Sequence, residues 1–334
     1  MFICVILVVT LTRLDVGTAT DRVRLSLHGS GASFPTRLYI EWMAAFKAYR
    51  GTSVQLSMTY EPVGSGQGLA MLLDDRQTVH YAGAVAIIVN LPGIPSLNLS
   101  QGLLVGIYNG TYTSWSDPDI KSLNPGVDLP KAPIRVVVRT DTSGTTEIFS
   151  RALSTTYDHV CFSHGLDESE DGTRSWNSTD HWLSGRTSLG VSGVVAAVRY
   201  SIAYISQLAT RQLGLTQSML TNRDGHMVAP SLDAVQTVVN SRTGQFDAHF
   251  NTDLVDSKGT LSYPIVAYTY LVIRMKTMKN CDSAKELYKY IKWLVTDEKA
   301  KYLCRENGMV PLDDVLSEKV KRGEYCCRQN TYKS

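Results

Sequence analysis

Residues 136–149 read VVVRTDTSGTTEIF, and they give the clearest indication of how this chain folds. The apolar run at 134–138 predicts a buried strand, and the residues up to Phe149 predict a helix. The first N–H groups of a helix have no partner within it, and the helix dipole adds about half a positive charge there. With Ser143 and Gly144 at this turn and Arg139 supplying a full charge, the stretch predicts an oxyanion-binding turn.

Two further turns of small residues occur in the same context, at 29–35 (GSGASFP) and 64–68 (GSGQG). Each lies between a predicted strand and a predicted helix: 25–27 and 35–49 for the first turn, 54–60 and 69–73 for the second. Glycine lets the backbone approach an anion closely, and serine adds a hydroxyl donor. One such turn is a common helix cap, whereas three in the same context predict a cage of donors around an oxyanion.

The rest of the chain alternates short apolar runs with amphipathic helices, which is the pattern of an α/β protein. Continuous apolar runs at 84–89 and 264–273 predict further strands, the first of them buried on both faces of its sheet. One long helix is predicted from Cys281 to Cys304. The length of 334 residues is enough for about two domains.

Composition and missing motifs exclude several classes of function. Apolar residues make up 43% of the chain and the net charge is +2, without a basic block, so we expect no nucleic-acid partner. No apolar run reaches the ~18 residues of a membrane span. Neither a P-loop nor a nucleophile-elbow motif occurs, so we predict no enzyme and no cofactor. The spacing of His159, Cys161 and His164 fits no zinc template, so we predict no metal. A phosphoester hydrolase with Ser143 as nucleophile is a weaker alternative, because no base for it is evident.

The N-terminal segment predicts secretion. Its apolar run at 2–11 and the small residues up to Ala19 predict a signal peptide at 1–19. Five cysteines remain after its removal: Cys161, Cys281, Cys304, Cys326 and Cys327. Cys281 and Cys304 flank the predicted long helix, about 35 Å apart, and therefore cannot pair. A pair of Cys304 with Cys326 or Cys327 is sterically feasible, and a thiol left over could join two chains through a disulfide.

Three Asn-x-Ser/Thr sequons indicate acceptors for N-glycosylation, at Asn98, Asn109 and Asn177. Together with the signal peptide they predict a secreted or cell-surface location, which is extracellular in a eukaryote and periplasmic in a bacterium. The sequence identifies no transporter or membrane receptor as a partner.

These motifs resemble the phosphate-binding protein of bacterial ABC phosphate importers. The turn at 29–35 resembles that family's first binding turn, EPVGSGQG at 61–68 its second, and VVVRTDTSGTTEIF its third. The stretch 108–130 follows the family's tryptophan, Asp-Pro and Asn-Pro-Gly pattern. YPIVAYTYLVIR at 263–274 and NGMVPL at 307–312 match its closing strand and C-terminal region, so the resemblance covers most of the chain after the signal.

The resemblance implies a type II periplasmic-binding-protein-like clamshell, with two α/β lobes whose mixed sheets are flanked by helices. Lobe I would comprise residues 20–88 and 264–334, and lobe II residues 89–263. The crossovers between the lobes would lie near 84–90 and 263–272.

The resemblance also implies a phosphate site, made of Ser33, Phe34, Ser65, Arg139, Asp141, Ser143, Gly144 and Thr145. Ser33 and Phe34 would bind through hydroxyl and backbone N–H groups, and Arg139 would pair with the anion while Asp141 orients it. Ser143, Gly144 and Thr145 would donate from the N-terminus of the helix.

One segment departs from the family pattern. An Asp-Phe-Gly-Ala-Ser-Asp-type stretch, whose last aspartate accepts the hydrogen bond from the protonated oxygen of phosphate, is absent here. Asp74 and Asp75 instead lead directly toward the strand at 84–89. A lobe I strand would be lost with this stretch, and a site made only of donors would penalise sulfate less.

The sequence therefore predicts a secreted, non-enzymatic protein that binds inorganic phosphate non-covalently between two lobes. The alternative is a degenerate phosphate-binding fold that acts as an interaction or receptor ectodomain, with weak or altered anion binding, to sulfate or to neither anion.

Overall fold

A computed structural model describes residues 24–52, 54–70, 76–156, 166–168, 174–176, 182–210, 214–242, 245, 252–274 and 281–311. The strands are β1 Arg24–Ser30, β2 Gln55–Glu61, β3 Arg76–Val89, β4 Leu97–Leu99, β5 Arg135–Arg139, β6 Leu166–Glu168, β7 Arg174–Trp176, β8 Leu183–Gly185, β9 Ser201–Ser206, β10 Thr216–Thr221, β11 Met227–Val228 and β12 Val266–Arg274. The helices are α1 Thr36–Arg50, α2 Ser65–Ala70, α3 Gln101–Tyr108, α4 Pro118–Ser122, α5 Gly144–Thr156, α6 Thr187–Ala197, α7 Gln207–Thr210, α8 Leu232–Ser241, α9 Cys281–Thr296 and α10 Glu298–Glu306.

The described part of the chain forms two compact units. The first unit comprises Ala82–Tyr268 and Gly308–Val310, and the second comprises residues 24–81, Thr269–Asn307 and Pro311. The chain therefore changes unit within β3 and again within β12. The lobe bounds given from the sequence stay a prediction.

The first unit is built on a mixed sheet, which among the described residues has eight strands. Their order is β11-β10-β3-β9-β5-β8, with β12 beside β3 and β4 beside β10. β5 is parallel to β8 and β9, whereas β3 is antiparallel to β9. The core beneath it consists of buried side chains from β3, β5, β9 and α6: Ile88, Val137, Val191, Val195, Ala203 and Ile205. The predicted mixed α/β fold is thus confirmed.

The second unit combines a short parallel sheet with an aromatic core. β1 and β2 pair in parallel from Arg24 opposite Gln55 to Ser30 opposite Glu61. The indole of Trp42, on α1, is fully buried and donates a hydrogen bond to the Ala300 carbonyl at 2.9 Å. Aromatic contacts extend this core along α1 and α9: Trp42 with Tyr81 at 4.6 Å between ring centroids, and Phe46 with Tyr290 at 5.0 Å and with Trp293 at 5.6 Å.

Two elements begin several residues earlier than predicted. The helix after the second turn starts at Ser65 rather than at Leu69. Gly64 adopts a φ of 103°, and its carbonyl accepts the N–H of Gly68 at 3.1 Å, so the first helical hydrogen bond forms directly at the turn. β3 begins at Arg76, well before the apolar run from Ala84 that predicted it.

The prediction of one continuous helix from Cys281 to Cys304 is wrong. Asp297 separates α9 from α10, and its carboxylate accepts the N–H of Lys299 at 2.9 Å, which is the capping bond that starts a new helix. Because α9 and α10 are separate helices, the separation of about 35 Å expected along one helix does not apply. That Cys281 and Cys304 do not pair stays a prediction. Cys304 is fully buried, and this burial raises the pKa of its thiol.

In the ranges that the structure describes, no helix has the length and apolar character needed to cross a membrane. The same residues contain no cluster of three or more His, Cys, Asp or Glu side chains suited to a metal ion.

We predict opposite effects from two glycine-to-alanine substitutions. A Cβ at Gly68 would lie 2.6 Å from the Gly31 Cα, and backbone cannot move aside, so Gly68→Ala should lower the free energy of unfolding by roughly 1–3 kcal/mol. A Cβ at Gly193, exposed within α6, meets nothing within 4 Å, so Gly193→Ala should raise stability by about 0.5–1 kcal/mol. Urea unfolding of both variants tests this. Equal effects would contradict the close contact of the two glycine turns.

Candidate anion-binding site

Arg139 and Asp141 form a buried ion pair at the end of β5. The side chains of Arg139 and Asp141 are only 2% and 4% exposed, respectively. Nε of Arg139 donates to Oδ1 of Asp141 at 2.7 Å, and Nη2 donates to Oδ2. The two-point contact fixes the plane of the guanidinium. That Asp141 thereby orients Arg139 toward phosphate stays a prediction.

The pKa of Asp141 shows which effect prevails in this pair. Burial on its own raises the pKa of the carboxyl group, because it disfavours the charged form. The hydrogen bonds and charge of Arg139, together with the N–H of Thr187 at 2.9 Å from Oδ1, lower it by more. The net shift is downward, so Asp141 is ionised and Arg139 has a charged partner.

Ser143 caps the helix that follows. Its Oγ accepts the N–H of Thr145 at 3.2 Å and that of Thr146 at 3.5 Å, while its carbonyl accepts the N–H of Glu147 at 3.0 Å. A hydroxyl that accepts from the backbone keeps its own proton, so it can cap the helix and donate to an anion at the same time. Ser143, Gly144 and Thr145 all lie at the first turn of α5, where the prediction put them.

Tyr204 joins this turn to the sheet. Its hydroxyl is 2.8 Å from Oγ1 of Thr146, and it accepts a long hydrogen bond of 3.4 Å from the backbone N–H of Arg139. Its ring stacks on that of Phe149, with the ring centroids 4.2 Å apart. The ring of Tyr108 contacts Phe149 edge-on, at 4.8 Å between the centroids. The strand that carries Arg139 and the helix that carries Ser143 therefore share one buried anchor.

The first and second turns, in the second unit, are bonded to each other through the backbone. The N–H of Gly31 donates to the Glu61 carbonyl at 3.0 Å, and the N–H of Gly64 donates to the Gly31 carbonyl at 2.9 Å. The phenol of Tyr60 donates to the Ala32 carbonyl at 2.7 Å. Because β1 and β2 are parallel, both turns leave the same edge of the sheet.

The structure places the three predicted residues of these turns as follows. Ser33 is partly buried, and its carbonyl accepts the side-chain hydroxyl of Thr36 at 3.0 Å where α1 begins. Phe34 is buried, and Ser65, the first residue of α2, is almost wholly buried. Ser33 and Phe34 are thus next to Ala32, whose carbonyl Tyr60 holds. Their roles toward phosphate stay predictions.

Sequence reasoning missed the turn that supports the ion pair. Gly185 ends β8, and Thr187 and Ser188 open α6, with Thr187 donating its N–H to Asp141. As in the other turns, a glycine and hydroxyl residues lie here between a strand and a helix, with Arg186 between Gly185 and Thr187. That pattern was a signal, but it did not indicate which partner the turn contacts.

The two sequons within the described residues differ in their surroundings. Nδ2 of Asn98 donates to the Leu123 carbonyl at 3.2 Å, and Oγ of Ser100, the third sequon residue, caps α3. Asn109 and Thr111 are both exposed, and Oδ1 of Asn109 accepts the N–H of Thr111 at 3.0 Å. Several predicted features lie outside the described residues: the signal peptide at 1–19, Asp74, Asp75, Cys161, Asn177, Cys326 and Cys327.

Comparison with known protein families identifies the family of this chain. A family model described as a PBP superfamily domain matches residues 76–298, more than half of the chain. The chain therefore belongs to the PBP superfamily, and the resemblance stated from its motifs is confirmed.

Particular relatives narrow this class. The phosphate-binding protein PstS of Haemophilus influenzae is 29% identical over 306 residues, which cover 84% of this chain and 87% of the relative. PstS of Methanocaldococcus jannaschii is 27% identical over 309 residues, covering 80% and 78%. This chain is thus similar to phosphate-binding proteins along most of its length.

Solved structures support the same fold. A putative phosphate ABC transporter substrate-binding protein of Clostridium perfringens, with bound phosphate, superposes with a TM-score of 0.57 at 16% identity, covering 88% of this chain and all of that one. A periplasmic phosphate-binding protein called PfluDING, also with phosphate bound, gives 0.62 at 18% identity, covering 90% and 93%. At such identities the likeness shows the fold alone.

The lowered pKa of Asp141 predicts an acid-sensitive contribution to stability. Since the folded-state pKa lies below the ordinary value of 3.8, this contribution is present above that value and is lost as pH falls through the folded pKa. Asp141→Asn should cost about 3 kcal/mol at neutral pH, because it leaves Arg139 buried without its counter-charge, and should weaken the acid dependence. Urea unfolding from pH 7 to 3 measures both. Asp128→Asn, at an exposed carboxylate, is the control, and matching pH profiles of the two variants would contradict the assignment.

Proposed function

We propose that this protein binds inorganic phosphate non-covalently, as a solute-binding protein. The observation that carries the proposal is the buried Arg139, which donates two hydrogen bonds to Asp141 and lies close along the chain to the N-terminus of α5 that Ser143 caps. A fixed guanidinium and a helix N-terminus are the groups that bind phosphate oxygens in many proteins. The names of the relatives support phosphate as the ligand, and they do not favour the alternative of a degenerate fold with altered anion binding.

Binding without chemistry is the form of function that best fits these residues. The relatives are solute-binding proteins, and the Ser143 hydroxyl accepts two N–H groups of its own helix, which suits a donor to an anion. The resemblance further implies that two lobes close over the ligand, with phosphate shifting the population toward the closed state. This closure stays a prediction.

The location forms part of the proposal. PfluDING is named as a periplasmic protein, and a binding protein of this kind meets its ligand outside the cytoplasm. We therefore propose a secreted or cell-surface location for this chain. A transporter or receptor that takes up the ligand would then lie in the adjoining membrane.

Replacement of Arg139 tests the proposed site. Arg139→Ala removes a charged donor and should weaken phosphate binding at least about 100-fold, measured by isothermal titration calorimetry. The double variant Arg139→Ala/Asp141→Asn should bind equally poorly, which shows that the loss does not come only from the carboxylate left behind. Arg135→Ala, at the exposed start of the same strand, is the matched control and should bind like wild type. Unchanged affinity of Arg139→Ala would refute the site.

A second test concerns passage through a eukaryotic secretory pathway. When the chain is secreted from such cells, we expect a glycan at exposed Asn109 and none at Asn98, whose amide already contacts Leu123. Asn177 is changed to Gln in every variant, so that its sequon carries no glycan. In that background, Asn109→Gln should abolish the mobility shift caused by a peptide N-glycosidase. Asn98→Gln is the control. A shift that survives Asn109→Gln but not Asn98→Gln would reverse the assignment.

A further inference from the structure

The N-terminal turn of α6 contacts both members of the Arg139–Asp141 pair. The backbone N–H of Thr187 lies 2.9 Å from Oδ1 of Asp141, and Nη1 of Arg139 lies 3.4 Å from Oγ of Ser188. Both contacts come from the first two residues of the helix, 46 or more positions along the chain. None of the residues predicted for the phosphate site belongs to this turn.

Thr187 makes its contact from an unusual backbone conformation. Its φ is +61°, in the left-handed region, which β-branched residues rarely adopt. In this conformation its N–H donates to Oδ1 of Asp141. Backbone strain of this kind persists where the surrounding structure requires it, and it occurs preferentially at functional sites. The strain in Thr187 is therefore an indication that the direction of this N–H matters.

Ser188 approaches the guanidinium from a different side. Asp141 occupies Nε and Nη2 of Arg139, whereas Ser188 contacts Nη1. Ser188 is 4% exposed, so water does not compete freely for its hydroxyl. Contacts at all three nitrogens restrict both the tilt and the rotation of the guanidinium plane more than Asp141 does alone.

The turn is held in place by close packing of backbone against backbone. Gly185 lies opposite Arg139 in the parallel pairing of β8 with β5, and its carbonyl accepts the N–H of Thr140 at 3.3 Å. A Cβ at Gly185 would lie 2.6 Å from the backbone nitrogen of Val191, so only glycine permits α6 to approach β8 this closely. The position of Ser188 relative to Arg139 is therefore fixed by the sheet itself.

We propose that Thr187 and Ser188 are positioning residues, which set the orientation of Arg139 toward a bound oxyanion. The proposal rests on the proposed function, since it concerns the same guanidinium. Thr187 donates its N–H to the Asp141 carboxylate, which in turn accepts hydrogen bonds from Arg139. Ser188 contacts Arg139 directly through its hydroxyl. Neither residue needs to touch the ligand.

Phosphate titration of Ser188→Ala and Ser192→Ala tests this role. Both serines are buried on α6, but the hydroxyl of Ser192 donates to the backbone carbonyl of Ser188 at 2.7 Å, whereas that of Ser188 contacts Arg139. We expect Ser188→Ala to raise the Kd for phosphate about threefold to tenfold, as for one long hydrogen bond to a charged group. Ser192→Ala should leave the Kd within about twofold of wild type, and Ser188→Thr, which keeps the hydroxyl, should restore most of the affinity.

A second background separates positioning from a merely structural role. Arg139→Lys keeps the positive charge but lacks Nη1, so Ser188→Ala should change the Kd less than about twofold in that background. An equal loss in both backgrounds, or an equal loss from Ser188→Ala and Ser192→Ala, would overturn the proposal. So would a Ser188→Ala protein that binds like wild type, and in that case the proposed function would stand. Failure of folded wild-type protein to bind phosphate would instead reject the proposed function, and the positioning role with it.

Discussion

The candidate site depends on the burial of a single cation. Arg139 has lost nearly all contact with water, and an unpaired charge in such a place costs several kcal/mol. Asp141 compensates for this loss with both carboxylate oxygens. Burial would push the pKa of Asp141 upward, yet the adjacent guanidinium outweighs that effect and the carboxylate stays charged. The pair thus places an oriented guanidinium at the end of β5, and the neighbouring contacts serve to keep it there.

These contacts come from separate segments of the first unit. Thr187 tolerates a left-handed backbone to bond Asp141, and Ser188 reaches the guanidinium from the same turn. Tyr204 bonds both the backbone of Arg139 and the side chain of Thr146, so the strand and helix α5 cannot shift independently. A hydrogen-bond network of this kind is sensitive to the loss of any member, because each buried polar group left without a partner is penalised.

The parts of the structure that could be predicted from the sequence are those set by neighbouring residues. The strand ending near Arg139, the helix beginning at Gly144 and the intervening turn follow from apolar runs and small residues a few positions apart. The contact of Thr187 with Asp141 could not be predicted, because it depends on the parallel pairing of β5 with β8, which no local pattern specifies.

Helix boundaries were harder to predict where a local choice competed with periodicity. Apolar residues at helical spacing lie on both sides of Asp297, yet its carboxylate caps a new helix there, since a capping bond satisfies an N–H that would otherwise lack a partner. Likewise, α2 begins at Ser65 because Gly64 adopts a backbone conformation that only glycine adopts easily. The Asp297 side chain in the first case, and the lack of a side chain at Gly64 in the second, decided where the helix begins, against the apolar pattern of the segment.

The neutralisation of Arg139 by Asp141 also affects how the proposed site would recognise an anion. Seen from a distance the pair carries almost no net charge, so it contributes little long-range attraction for anions in general. In the proposed site, an anion would instead be recognised at hydrogen-bond distance. The donors would be the guanidinium of fixed plane, the Ser143 hydroxyl and the N-terminus of α5. Directed donors discriminate by where the acceptor oxygens lie, whereas a bare cation attracts any anion. A tetrahedral oxyanion places its oxygens at separate points, so donors that lie apart would each meet an oxygen of their own. A halide is a single acceptor centre and would suit only donors that converge on one point.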